Sequence, residues 1–420
     1  MNFFRSLGSV VAPLRSTAVA PAEQVVEHPH LLQNYARAPI TIERGEGCEL
    51  IDSNGVRYLD LVAGIAVCAL GHAHPAITDA IATQAATLVQ ASNLFYHEPS
   101  GTLANELASR SGLERVFFCN SGTEANEAAL KLARKLAFRR GDSRRTILSC
   151  EGSFHGRTLG ALAATANPHY HEGFEPLPGG FAYTPFNDVP ALEAALDETV
   201  AAFIVEPVQG ESGVRPADVA FLEAARRLCD RHGALLIFDE IQCGMGRLGT
   251  LFAFQTFGVR PDVVTLAKSL ANGLPIGAVL IDAQAARALQ PGDHGTTFGG
   301  SPVPCAAALA HLHVRDASDF DAHVRDVGTQ FRAGLTALAA RYPTVFMPPR
   351  GLGLMLGLPV RPPYTAKAFV DPARVRERVL INAAGDNTLR FVPPLILTAE
   401  QADDALERLE RVVGFVLPTL

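Results

Sequence analysis

The sequence predicts an α/β protein with a largely parallel central sheet and a smaller α+β region after it. Three observations carry that expectation. Six short apolar runs, at 116–119, 146–149, 201–205, 234–238, 263–266 and 276–281, read as buried parallel strands. Stretches with helical spacing lie between them, and strands that alternate with helices build βαβ units. After a helical run at 302–313 the rhythm changes to two long helical patterns with short strands at 355–358 and 389–392.

Taken in order, residues 1–33 read as an arm carrying Pro13, Pro21 and Pro29. Short strands are expected at 40–43, 49–52 and 57–60, with Asp52-Ser-Asn-Gly55 giving the Asn-Gly signature of a tight hairpin. Helices fit 76–89 and 102–111. A third fits 216–232, where Val219, Leu222, Ala225 and Cys229 share a face and Gly233 follows the last turn. The expected division is an arm (1–33), the first part of a small domain (34–74), a large domain (75–312) and the rest of the small domain (313–420).

The bulk composition excludes several functions. With 48% hydrophobic and 19% charged residues among 420, the chain can fill a large core. A net charge of −7 without basic runs gives no footprint for nucleic acid or an anionic membrane. Seven cysteines lie scattered without a CxxC pair, as in a reducing compartment. His72/His74 and His169/His171 lack carboxylates at ligand spacing, so no metal site is expected. No stretch approaches the roughly 20 apolar residues of a membrane span. Residues 1–20 contain Arg5 and Arg15, and no acid precedes Glu23. That suits a mitochondrial transit segment as well as a loose bacterial tail. The Ala, Arg and Leu bias of the remainder favours the tail and a cytoplasmic protein, with the mitochondrial matrix as the eukaryotic alternative.

Four segments carry chemistry. Asn120-Ser-Gly-Thr-Glu-Ala-Asn-Glu127 follows a strand and opens a helix. Ser121 and Glu124 are spaced as a capping box, and Gly122 and Thr123 leave amides and a hydroxyl that suit a phosphate; alone, the motif reads first as a plain helix cap with no ligand. Asp239-Glu240 and Lys268 each end an apolar run. Alone, either is an ordinary strand-end charge, and the two could simply pair with each other. Ser153-Phe-His-Gly-Arg157-Thr158 puts an aromatic ring and a guanidinium at the same sheet edge, and Glu206-Pro-Val-Gln-Gly-Glu211 adds acids there. Ligands of such sheets bind beyond the carboxyl ends of the strands.

This ordered set resembles the class III, fold-type I pyridoxal-phosphate aminotransferases. The likeness runs from about Tyr35 to the C-terminus and includes 64–67, 71–75, 239–246, 265–277, 294–300 and 390–394. The resemblance implies a mostly parallel seven-stranded sheet flanked by helices, with a small domain built from both termini. It also implies roles. Lys268 binds pyridoxal 5′-phosphate covalently and moves a proton between substrate carbon and cofactor, while Asp239 pairs with the ring nitrogen. Ser121, Gly122 and Thr123 hold the phosphate, Phe154 and Ile241 flank the ring, and Gln242 reaches the 3′-oxygen. Thr297 reaches the phosphate of a neighbouring subunit, which makes the protein a homodimer with shared sites. Tyr35, Arg157 and Arg390 bind substrate, and Glu211 masks Arg390 when no second carboxylate is bound. Ser301 stands where asparagine is commoner in the family.

Within the family, Ile65 stands where ornithine enzymes carry a tyrosine that recognises a free α-amino group. Together with 173–178, 185–188 and 239–247, it points to the acetylornithine enzymes: N2-acetyl-L-ornithine and 2-oxoglutarate as substrates, in arginine biosynthesis. Succinylornithine, succinyl-diaminopimelate, a carrier-bound lysine precursor, ornithine and 4-aminobutyrate remain alternative donors. More distant readings are a glutamate-semialdehyde mutase and a non-catalytic protein on the same fold.

Overall fold

The structure, a computed structural model, describes His28 and residues 30–417; the segment 1–20 lies outside the described residues. Seven strands form the central sheet: β1 (Arg115–Cys119), β2 (Thr146–Cys150), β3 (Phe181–Thr184), β4 (Val200–Val205), β5 (Leu235–Asp239), β6 (Val263–Leu266) and β7 (Gly277–Ile281). Their spatial order is β1-β7-β6-β5-β4-β2-β3. From β6 to β3 every pairing is parallel. The expectation of a parallel strand at 276–281 is corrected, because β7 runs antiparallel to both β6 and β1. The reason lies in the connection. Only residues 267–276 join β6 to β7, and they hold one short 3₁₀ turn, Lys268–Ala271, and no crossover helix.

Buried residues explain the rest of the layer. β4 and β5 are buried along their whole length, as the apolar runs require. The edge strand β3 has four residues, of which only Thr184 is buried, and its sequence pattern is correspondingly weak. The helix Gly122–Arg139 lays its alanine and leucine face on the sheet. The helix Val219–His232 ends at Gly233, φ 69°, as its sequence indicates. Its start is three residues later than expected, because Arg215–Pro216 pairs as a strand with Val208–Gln209.

Two further sheets enclose the carboxyl edge. Ile42–Glu46, Glu49–Asp52 and Arg57–Asp60 form an antiparallel set, and Val379–Leu380 joins it parallel to the third strand. Chain from both ends therefore shares one sheet. The hairpin turn spans residues 53–56, with Gly55 at φ 80°, rather than the two-residue Asn-Gly form. The other sheet, in the order Arg350–Leu352, Met355–Pro359, Thr388–Phe391 and Asn382–Ala384, packs with the helices Phe320–Arg341 and Ala399–Val416. A third helix there, Lys367–Glu377, escapes the sequence pattern because Pro372 interrupts it. Among the described residues, no helix is long and apolar enough to cross a membrane.

Candidate active site

The carboxyl ends of β5 and β6 deliver Asp239 and Lys268 to one cavity of about 400 Å³. Asp239 is nearly inaccessible. A carboxylate at that depth needs partners on every side, and it has them. Asn126 Nδ2 donates to Oδ2 at 2.7 Å, His155 Nδ1 lies 2.8 Å from the same oxygen, and the Ile241 amide donates to Oδ1 at 3.1 Å. Asn126 is itself fixed, donating to the His155 carbonyl and accepting from Thr265 Oγ1. Neither Asn126 nor His155 is marked as a site residue by its place in the sequence. The available signals were an asparagine within the alanine-rich stripe of a buried helix, and a histidine directly after Phe154.

Lys268 leaves the end of β6 with φ 43°, a left-handed conformation that a non-glycine residue holds only when its surroundings impose it. Two neighbours impose it. Ser269 Oγ donates to the Ala66 carbonyl, and the Asn272 side chain accepts from Leu70 N and donates to the Gly71 carbonyl. The first of these contacts ties the Lys268 segment to residues 63–66, a single left-handed turn with φ of 49°, 66°, 67° and 61°. Asp60 anchors that turn by accepting from Val62 N and Ala63 N, and His72 Nε2 lies 2.8 Å from its second oxygen. The hydrogen bond to Asp60 pushes the His72 imidazole up to about 9. Burial lowers the Lys268 amine below the usual lysine range, against the pull of Glu211. The chain has four lysines, 131, 135, 268 and 367. Lys131 and Lys135 are engaged at His294 and Asp293, and of the four only Lys268 lines this cavity.

The far wall is the N-terminus of the helix Gly122–Arg139. Ser121 Oγ accepts from Glu124 N, the first half of the expected capping box. The reciprocal half is displaced: the Glu124 carboxylate accepts from Asn120 N rather than from Ser121 N. The first intrahelical bond runs from Ala125 N to the Ser121 carbonyl. The Gly122 and Thr123 amides therefore remain for an external acceptor, at the positive end of the helix. A Cβ at Gly122 would sit 2.8 Å from Ile241 Cδ1, so any larger residue there would displace the Ile241 side chain.

At the mouth, Arg157 is exposed and lies over the Tyr170 ring at 3.9 Å and the Phe154 ring at 5.3 Å. Deeper in, Arg390 Nη1 and Glu211 Oε1 form a 2.5 Å ion pair. Gln242 completes it, donating to Glu211 at 3.2 Å and accepting from Arg390 at 3.3 Å. Burial pushes the Glu211 carboxyl up, but Arg390, with Lys268 and Gln242, pulls the other way and the net shift is downward. Glu206, which also lines the cavity, accepts from the Phe154 and Gly210 amides, and burial pushes it up to about 7.

The structure thus gathers Ser121, Gly122, Thr123, Phe154, Arg157, Asp239, Ile241, Gln242 and Lys268 around one cavity, with the Glu211–Arg390 pair reaching it through Gln242. It leaves two expected residues outside. Thr297 is exposed, its carbonyl accepting from Gln90, and Tyr35 is exposed with Arg37 over its ring. Ile65 is also absent from the lining, where Val67 takes its place. An anion-binding helix start, a buried carboxylate, apolar walls and an amine between them fit a flat aromatic ring bearing a phosphate and a ring nitrogen. Pyridoxal phosphate is such a group.

Comparison with known proteins agrees. Residues 32–413 match the family described as Aminotransferase class-III. The chain is 49% identical over 414 residues to the acetylornithine aminotransferase of Thermosynechococcus vestitus, covering 96% of this chain and 99% of that protein. The N-acetylornithine aminotransferase of Stenotrophomonas maltophilia superposes with a TM-score of 0.80 at 40% identity, over 92% of this chain and 98% of that one. The ornithine aminotransferase of Toxoplasma gondii superposes with a TM-score of 0.89 at 35% identity, over 93% and 94%. The chain belongs to the class III aminotransferases, which are fold-type I enzymes dependent on pyridoxal phosphate.

Proposed function

We propose that this chain transfers the ω-amino group of N2-acetyl-L-ornithine to 2-oxoglutarate, giving N-acetyl-L-glutamate 5-semialdehyde and L-glutamate, a step of arginine biosynthesis. The observation that carries the donor is the likeness to proteins named acetylornithine aminotransferase, at 45–49% identity over more than nine-tenths of the chain. The cavity supplies the parts such a reaction needs. Pyridoxal phosphate, when bound, supplies an electron sink beside the amine-bearing carbon.

Lys268 would hold it, and a lysine whose pKa is lowered by burial is suited to take a proton from that carbon. Asp239, braced by Asn126 and His155, would keep the ring nitrogen protonated. Ser121, Gly122 and Thr123 would bind the phosphate, and Phe154 and Ile241 would pack on the ring faces. Gln242 would give up part of its link to Glu211 or Arg390 to reach the 3′-oxygen. Arg157 would bind the donor's carboxylate. Arg390 would bind the second carboxylate of glutamate or 2-oxoglutarate, and Glu211 would neutralise it when the bound substrate has none there.

The same reading assigns a homodimer, a cytoplasmic location and the domain division at 34, 75 and 313. Leu94, Phe95, Tyr96 and Phe298 are large, exposed and apolar, as an unpaired interface would be. Thr297 sits beside Phe298 and would serve the neighbouring site, and Tyr35 would close over substrate. Ornithine is the second reading, favoured by the close superposition on the Toxoplasma enzyme. Titrating the holoenzyme with N2-acetylornithine, ornithine, N2-succinylornithine and 4-aminobutyrate separates them. The cofactor's absorption band should move at the lowest concentration with N2-acetylornithine and return with 2-oxoglutarate. A stronger response to ornithine would replace this reading with the second.

A further inference from the structure

Beside the cavity lies a second one of about 320 Å³, which the roles above leave unused. Glu211 and Tyr170 form its boundary with the site: Glu211 touches Gln242, and Tyr170 lies on Arg157. Its other walls include Phe186, Ser212, Arg215 and Asp386. Arg215 stands out. Its guanidinium lies over the Phe186 ring at 5.6 Å and, among the described residues, forms no ion pair. Its charge depresses Arg350 nearby, in addition to burial.

The hairpin that carries Arg215 also carries Glu211, since Arg215 pairs with Gln209 two residues before it. That hairpin is held firmly. Val214 has φ 56°, and a Cβ on Gly385 would fall 2.2 Å from the Ser212 carbonyl carbon, so the two loops meet backbone to backbone. Arg215 is therefore presented at a fixed distance from the substrate end of the site, on a wall already shared with Glu211.

We propose that this side cavity receives the acyl group of the donor, and that Arg215 donates to its carbonyl oxygen. The inference rests on the donor reading above. In an N2-acylated amino acid the carboxylate and the acylamino group sit on the same carbon. Binding the carboxylate at Arg157, which lies on the Tyr170 ring, would therefore keep the acyl carbon, three bonds from the carboxylate carbon, beside the Tyr170 wall. Space and an uncommitted donor both lie beyond it. Glu151, Glu211 and Asp386 also line the cavity, which favours a neutral acyl group over one ending in a second carboxylate.

Steady-state kinetics of the holoenzyme test this. Arg215→Met keeps a stem to cover Phe186 and removes the donor. The KM for N2-acetyl-L-ornithine should rise about tenfold, the scale of one lost hydrogen bond from a charged group, with KM for 2-oxoglutarate unmoved. An unchanged KM for the acylated donor would overturn the proposal. In the wild type, N2-propionyl-L-ornithine should keep kcat/KM within about threefold of the acetyl donor, since one added methylene has room. A loss of about a hundredfold would show that no space exists, whatever the variant does. Failure of the wild type to use N2-acetyl-L-ornithine at all would overturn the donor reading together with this one, whereas the two results above overturn this one alone.

Discussion

The Asp239 end of the cavity and the Arg157 end are built on different principles. At the first, the polar side chains are buried and held in place: Asp239 by three partners, Asn126 by Thr265 and the His155 carbonyl, and the Lys268 backbone by a strained turn clamped by Ser269 and Asn272, with His155 Nε2 left without a partner. At the second, one arginine is exposed on an aromatic ring, and the other is held by a glutamate that, in the proposed function, a bound carboxylate would displace. The contrast separates an end suited to one fixed chemistry from an end that can adjust to its substrate. A preorganised end stabilises charge without rearranging during the reaction. An end built from exchangeable ion pairs can take two substrates of unlike charge.

The fixed end should suffer most from substitution. Lys268→Ala should lower kcat by about 10³ or more, the range for loss of a positioned proton-transfer group, as read in a coupled assay for glutamate formation. Asp239→Asn removes the buried charge but keeps the shape, and should cost about a hundredfold in kcat. A loss under about threefold would show that the ring nitrogen is held by something else.

His72→Gln probes the clamp rather than the chemistry. The folded pKa, about 9, lies above the ordinary 6.5. Its contribution is therefore complete below pH 6.5, declines between 6.5 and 9, and is lost above. Thermal unfolding should show the variant destabilised by on the order of 2 kcal/mol at pH 6 and equal to the wild type near pH 10. A difference independent of pH would mean that packing against Gly45, not the Asp60 pair, accounts for it.

The adjustable end should give the smallest effect and a different kind of effect. Glu211→Ala leaves Arg390 unmasked, so the ratio of kcat/KM for α-amino donors to that for N2-acetyl-L-ornithine should rise about tenfold. An unchanged ratio would leave Glu211 as a structural partner of Arg390 and Gln242 alone.

The same contrast decides what the sequence reveals. β4, β5 and β6 are legible because full burial on both faces writes continuous apolar runs, and Asp239 and Lys268 are legible because they end such runs. The direction of β7 is not legible from its own residues; it follows from the short connection at 267–276. Asn126 and His155 lie inside segments already noticed, but their role depends on β5 and β6 standing side by side, a relation between residues 113 and 84 positions apart. Arg215 is hidden for the same reason. Nothing in its neighbourhood in the chain shows that Phe186, Tyr170 and Asp386 converge on it.

Of the chain's four lysines, only Lys268 stands in the fixed end, where it would hold the cofactor. Borohydride reduction of the holoenzyme followed by peptide mapping tests that role directly. A stable pyridoxyl label is expected on Lys268 and none on Lys131, Lys135 or Lys367; a label on any of those three, with Lys268 unmodified, would overturn the assignment.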